Sequence, residues 1–157
     1  MKVVFIDLPG PVKGFNSGLA YLAAIAKQNQ ATPLIIDLNN NPVKQQERIN
    51  ALKTLRADII GISLKSHTLK SGLELAQQIA GWSAVLIAGG AEVTLEKEQF
   101  LRENPVFHYA FTGEAENSLP VFMKFLKGET TPDRVGRLCY RAQEEAGKIK
   151  SNSVELI

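Results

Sequence analysis

Apolar residues occur in short unbroken runs, separated by stretches where they recur every three or four positions. The runs are Lys2–Ile6, Pro33–Asp37, Asp58–Ser63, Ala84–Ala88 and Phe107–Phe111, all of strand length. Runs that are apolar throughout, rather than alternating, suit parallel strands covered on both faces. Between them, Leu19, Leu22, Ala23, Ile25 and Ala26 form one helical stripe, and Leu69, Leu73, Ala76 and Ala80 another. Leu119, Phe122, Met123, Phe125 and Leu126 form a third, in a helix whose first turn accepts Pro120. Val43–Leu55 is predicted to be a helix with Ile49, Leu52 and Leu55 inward and "KQQER" toward water.

This alternation predicts an α/β fold of flavodoxin-like (Rossmann-like) type. The expectation is a three-layer sandwich around a five-stranded parallel sheet of order 2-1-3-4-5. Past Leu126 the pattern changes. "GETTPD" is rich in turn residues, and "RLCYR", "EEAGK" and "IKS" predict a small C-terminal β-hairpin from about Val135 to Ser151. The chain thus divides into an α/β domain over 1–130 and a C-terminal segment over 131–157. The apolar ending "SVELI" has no partner of its own and reads as the start of a linker to a further domain.

Composition narrows the partners. A chain of 157 residues that is 45% hydrophobic suits one domain with a sizeable core. A formal net charge of +2 is too small for the electrostatic footprint of a nucleic-acid binder. One cysteine, Cys139, excludes an internal disulfide and a cysteine-rich metal site, and it fits a reducing compartment, the cytoplasm by default. No apolar stretch approaches the length of a membrane span or a signal peptide, so no membrane partner is expected.

In a sheet of this order, ligands are expected at the carboxyl ends of the strands, where the order reverses. The loops there, "DLPGPVKGFNSG" after the first strand and "SLKSHTLKSG" after the third, are longer and richer in Gly, Ser and Thr than a plain connection needs. The loop after the second strand, "LNNNP", reads as an ordinary Asn-Pro turn. Gly89 and Gly90 remove two side chains after the fourth strand, and Gly113 one after the fifth. A Gly pair there also suits a tight turn. The first loop holds neither G-x-G-x-x-G nor G-x-x-x-x-G-K-[ST], so the usual phosphate loops are missing. Asp7 stands where a receiver domain has its phosphoacceptor, but Lys2–Ile6 carries no accompanying carboxylate. His67 is a lone loop histidine, more typical of a solvated side chain than of a ligand, and His108 opens an apolar strand. Glu114 and Glu116 suggest paired carboxylates, yet acids at this place more often favour the positive end of the following helix. No metal-ligating set is predicted.

"ADIIGISLKSHTLKSGLELAQQI", "VLIAGGAEVTLEKEQFL", "HYAFTGEAENSLPVFMKFLKG" and "GRLCYR", in this order and spacing, resemble the cobalamin-binding N-terminal domain of B12-dependent radical SAM proteins. The resemblance covers nearly the whole chain and is strongest from Asp58 to Arg141; its G-G-x-x-x-T and G-E-x-E elements are weak singly and fairly specific together. It implies a corrin ring on the carboxyl ends of the strands and a nucleotide tail running down between sheet and helices. By the same resemblance, Ser63 and Thr68 meet the tail, while Gly89, Gly90 and the adjoining Ala91 let it pass against bare backbone. Gly113 and Glu114 form the last loop beside it. Substitution Gly90→Leu is accordingly expected to block the tail and leave the fold intact.

Related methyltransferase domains carry D-x-H-x-x-G after the first strand, whose histidine ligates cobalt. Here Pro9 stands in its place, followed by Gly10, and Val12 replaces the last Gly. The resemblance therefore implies a cofactor held base-off, without a histidine, its lower face meeting backbone, Pro9, Leu64 or water. The C-x-x-x-C-x-x-C loop of radical SAM chemistry is missing, so the 4Fe-4S cluster and S-adenosylmethionine belong to a radical SAM domain in the same or another chain. That implies part of a methyltransferase or rearrangement enzyme. The alternative is a flavodoxin-like scaffold or partner-binding domain that has lost cobalamin binding.

Overall fold

The computed structural model describes residues 1–153, so the apolar ending Val154–Ile157 lies outside the described residues. Seven strands form one sheet: β1 (Lys2–Asp7), β2 (Thr32–Asp37), β3 (Ile59–Ser63), β4 (Val85–Gly89), β5 (Tyr109–Phe111), β6 (Leu138–Arg141) and β7 (Ile149–Ser151). The helices are α1 (Ser17–Gln28), α2 (Gln45–Leu55), α3 (Leu69–Gln78), α4 (Ala91–Glu96), α5 (Glu98–Glu103) and α6 (Ser118–Leu126). Strand order is β2-β1-β3-β4-β5-β6-β7, with β1 to β5 parallel as expected.

The C-terminal hairpin does not stand apart: β6 pairs antiparallel with β5 and continues the sheet into β7. The reason is the exposed edge that β5 would otherwise present, which pairing removes. Arg141 secures the junction by donating to the carbonyls of Leu101 and Phe107, each at 2.7 Å. β5 is also shorter than expected and starts at Tyr109, although His108 just before it still donates its N–H to the Leu86 carbonyl at 3.0 Å. Its Nδ1 accepts the Leu86 N–H at 2.9 Å, satisfying a backbone donor with a side chain.

Two cores flank the sheet. On one face Val4, Ile6, Ile60, Ile62 and Leu86 pack with Leu52 of α2, Leu75 of α3, Val93 of α4 and Phe100 of α5. On the other, Val3, Phe5, Ile59, Ile87 and Phe111 pack with Leu19 of α1 and Leu119, Phe122 and Met123 of α6. The α3 stripe is rotated from the predicted one: Gly72, Leu75, Ala76 and Ile79 are buried, whereas Ala80 is exposed beyond the helix end. Gly72 carries no hydrophobic signal in the sequence, yet there α3 packs tightly on Leu64 and Leu8, just past the ends of β3 and β1. A Cβ there would meet Leu64 Cδ2 at 2.2 Å and Leu8 Cδ1 at 2.9 Å. The connection from β4 to β5 holds two short helices, broken at Lys97, whose φ is +52°. No helix among the described residues is long and apolar enough to cross a membrane.

Phe122 stands edge-on to Tyr109 and Phe111, with ring centroids 5.2 Å from each. Removing its ring leaves a hollow in a closed core, so Phe122→Ala is expected to lower stability by about 3–5 kcal/mol in urea titrations. Cys139 is buried where β6 meets β5, and burial pushes its thiol pKa up. Native protein is therefore expected to react with a disulfide reagent such as DTNB only as fast as it opens, and the rate should rise with added urea.

Candidate functional site

The carboxyl ends of three strands finish in one row. In register, Asp7 of β1 pairs with Ser63 of β3, and Ser63 with Gly89 of β4. One step earlier on the same face lie Phe5, Gly61 and Ile87. Gly61 leaves a notch between two large side chains, since a Cβ there would lie 3.1 Å from Phe5 Cδ1 and 3.3 Å from Ile87 Cγ1. Over this floor, Gly18, Leu19 and Leu22 of α1 and Leu119 of α6 enclose a cavity of about 220 Å³.

Of the residues singled out in the sequence, Ser63, Gly89, Gly90, Gly113 and Glu114 line this cavity. Pro9, Gly10, Leu64, Thr68 and Ala91 do not. Leu64 is fully buried in the opposite core against Leu8 and Gly72, and its backbone joins β3 to β4 by a 2.7 Å bond to the Gly89 carbonyl. The Thr68 hydroxyl accepts the Lys65 N–H at 2.9 Å and returns a bond to the Lys65 carbonyl at 3.2 Å, so it closes its own loop. Pro9 is exposed and Gly10 half-buried in the loop after β1, and Ala91 is exposed as the first residue of α4.

The two adjacent glycines do different things. At Gly89 an added Cβ would meet nothing within 4 Å, so this position opens the space over the strand end. At Gly90 φ is +107°, and a Cβ would stand 2.3 Å from the Leu64 carbonyl oxygen. Gly90 is thus required by the fold itself, which overturns the expectation that Gly90→Leu leaves the fold intact.

Side chains stitch the loops above the row. The Thr94 hydroxyl donates to the Gly90 carbonyl at 2.9 Å and accepts the Gly113 N–H at 2.7 Å, joining the G-G-x-x-x-T element to the loop after β5. Ser66 donates to Glu92 Oε2 at 2.9 Å, tying the β3 loop to α4. The His67 ring lies against Gly10, where its Nε2 would be 2.8 Å from an added Cβ. Asn16 caps α1 by accepting the Leu19 N–H at 3.2 Å and donates its amide to the buried Asp7 at 2.8 Å.

"LNNNP" proves to be more than a turn. Asn39 accepts the Gly10 N–H at 3.0 Å and donates to the Val12 carbonyl at 3.1 Å, while Asn40 does the same for Gly14 at 3.2 and 2.9 Å. Asn40 also bonds Asp37, holding that carboxyl below its usual range. These asparagines clamp the β1 loop. Gly61, Gly18 and Glu116 also line the cavity and were not singled out as site residues; a Gly inside an apolar strand is itself a sign of close approach. Glu116 does not serve the first turn of α6, which begins at Ser118, and its Oε2 is buried without a hydrogen-bond partner. Among the described residues, no group of three or more His, Cys, Asp or Glu side chains is arranged to hold a metal ion.

With this geometry in view, the likeness to other proteins is informative. The cobalamin-dependent S-adenosylmethionine radical enzyme OxsB, solved with aqua-cobalamin and S-adenosylmethionine, superposes with a TM-score of 0.84 at 24% identity, over 99% of this chain and 22% of that one. The radical S-adenosylmethionine methyltransferase TsrM from Kitasatospora setae, solved with cobalamin and a [4Fe-4S] cluster, superposes with a TM-score of 0.81 at 12% identity, over 99% of this chain and 29% of that one. At such identities the likeness establishes the fold, and this chain spans under a third of either enzyme. No curated protein matches the sequence. The family model described as "B12 binding domain" matches residues 4–123, which runs from within β1 through most of α6 and includes every residue that lines the cavity. The chain belongs to the B12-binding domain family.

Proposed function

We propose that this domain holds cobalamin with its nucleotide tail in the cavity between the sheet and helices α1 and α6. The corrin ring then lies over the carboxyl ends of β1, β3 and β4. The observation that carries this reading is the coincidence of a hollow, a bare strand end at Gly89 and a clamped set of loops at the point where strand order reverses. The lining suits a flat aromatic base: mostly apolar, with the Ser63 hydroxyl able to donate to a ring nitrogen that would otherwise go unpaired. Pro9, Gly10 and Ala91 supply the platform beneath the ring, and Asn39 and Asn40 keep the Pro9 loop in place. When bound, cobalamin supplies a cobalt centre that can carry a methyl group or exchange electrons. Its catalytic partner in this reading is a radical SAM domain, in the same chain or another, which provides the iron–sulfur cluster and S-adenosylmethionine.

The base is held off the metal, and the cobalt takes no protein nitrogen. Supporting this, the β1 loop presents Pro9 where a ligating histidine would stand. His108 sits at the amino end of the sheet, bonded to Leu86. His67 is the imidazole nearest the ring's place, and its ring lies beside Gly10 while remaining exposed to solvent.

Two experiments test the reading. Wild-type protein mixed with hydroxocobalamin and passed through gel filtration should carry the cobalamin spectrum, and Gly89→Leu should elute colourless with its melting temperature little changed. A colourless wild type would favour the scaffold alternative. Gly90→Ala, by contrast, should lose about 1–3 kcal/mol of stability from its backbone conformation alone, and more from the clash of its Cβ with the Leu64 carbonyl. Electron paramagnetic resonance of the cob(II)alamin complex should show no nitrogen superhyperfine splitting. Splitting that vanishes in His67→Ala would identify His67 as the ligand, and splitting that persists would identify the cofactor's own base.

A further inference from the structure

The polar groups around the cavity are mostly engaged within the protein. Asn16 serves Asp7 and Leu19, and the Gly90 carbonyl and Gly113 N–H are joined through Thr94. Glu116 differs. It lines the cavity, and its Oε2 is shielded from solvent with no hydrogen-bond partner. A buried carboxylate oxygen without a donor is unfavourable, and it persists in a fold when a ligand supplies the missing group.

We propose that Glu116 is the acceptor for a hydroxyl group of the ligand in this cavity. On the cobalamin reading, on which this inference rests, the donor is a hydroxyl of the ribose in the nucleotide tail. The chemistry of the tail selects it. An ionised carboxylate only accepts hydrogen bonds, the free nitrogen of the base also accepts, and the tail's phosphate is an anion that a carboxylate repels. The ribose hydroxyls are the donors of the nucleoside itself, since the one amide N–H of the linker lies beside the corrin ring. Ser63 and Glu116 then divide the tail between them, one donating to the base and the other accepting from the sugar.

The test compares wild type, Glu116→Gln and Glu116→Met in the full chain, by spectroscopic titration with hydroxocobalamin and with cobinamide, which lacks the tail. Glu116→Met should weaken cobalamin binding about tenfold to a hundredfold, the range for a hydrogen bond to a charged group. Glu116→Gln, whose amide oxygen still accepts, should lose less, and cobinamide should bind all three proteins alike, weakly or not at all. Without ligand, the melting temperature of Glu116→Met should hold or rise by about 2–4 °C, since an unpaired buried oxygen is removed. Unchanged cobalamin affinity in Glu116→Met overturns the proposal, as does an equal loss for cobinamide, or a fall in unliganded stability that matches the loss of affinity in both variants. A wild type that retains no cobalamin fails at the first step and refutes the cofactor reading together with this one.

Discussion

The parallel register of β1, β3 and β4 is the constraint on which the site depends. It brings Asp7, Ser63 and Gly89 level at the carboxyl edge and Phe5, Gly61 and Ile87 level one step below. Because side chains alternate across a strand, both rows face α1 and α6, and the intervening row of Ile6, Ile62 and Ala88 fills the other core. A slip of one residue in any of the three strands would turn the cavity floor into the α3 side of the sheet. Two glycines at neighbouring levels, Gly61 and Gly89, then make a hollow of what would otherwise be a filled layer.

Register alone does not hold the loops above the hollow. That work falls to short polar side chains whose bonds stay inside the protein: Asn39 and Asn40 on the β1 loop, Thr68 within the β3 loop, Ser66 between that loop and α4, and Thr94 between the loops after β4 and β5. Each removes conformational freedom before any ligand arrives, which lowers the ordering cost of binding. The loops are rich in Ser, Thr and Asn chiefly because they bind one another.

This explains what could and could not be read from the sequence. The strands and their order were legible because each is an apolar run bounded by polar turns, and the family resemblance rested on motifs placed correctly on those turns. The direction of individual groups was not. Thr68 and Ser63 look alike as hydroxyls in one loop, but the first turns back on Lys65 and the second lines the cavity. Gly89 and Gly90 look alike as a pair, but one faces open space and the other the Leu64 backbone. Gly72 carries no such signal because a helix face is read from its apolar residues, and this close contact of α3 is made by a residue with no side chain. In each case spacing along the chain is known and the third dimension is missing.

Size is a poor guide to the site in this fold. A larger cleft, of about 750 Å³, lies at the amino ends of β3 and β4, lined by Lys53, Thr54, Arg56 and Trp82 among others. Lys53, Thr54 and Ser83 at that cleft are exposed, and none of the loop-to-loop bonds described above converges there. The smaller cavity is where the chain departs from what stability alone would choose: a glycine in the middle of a buried strand, an open position at a strand end, and an unpaired carboxylate oxygen out of reach of water. Replacing the unpaired carboxylate by an apolar group would favour the unliganded fold, and a side chain at Gly89 would meet no obstacle there. Departures of this kind, gathered in one place while the rest of the sheet is closely packed, are the physical mark of a surface shaped for a ligand.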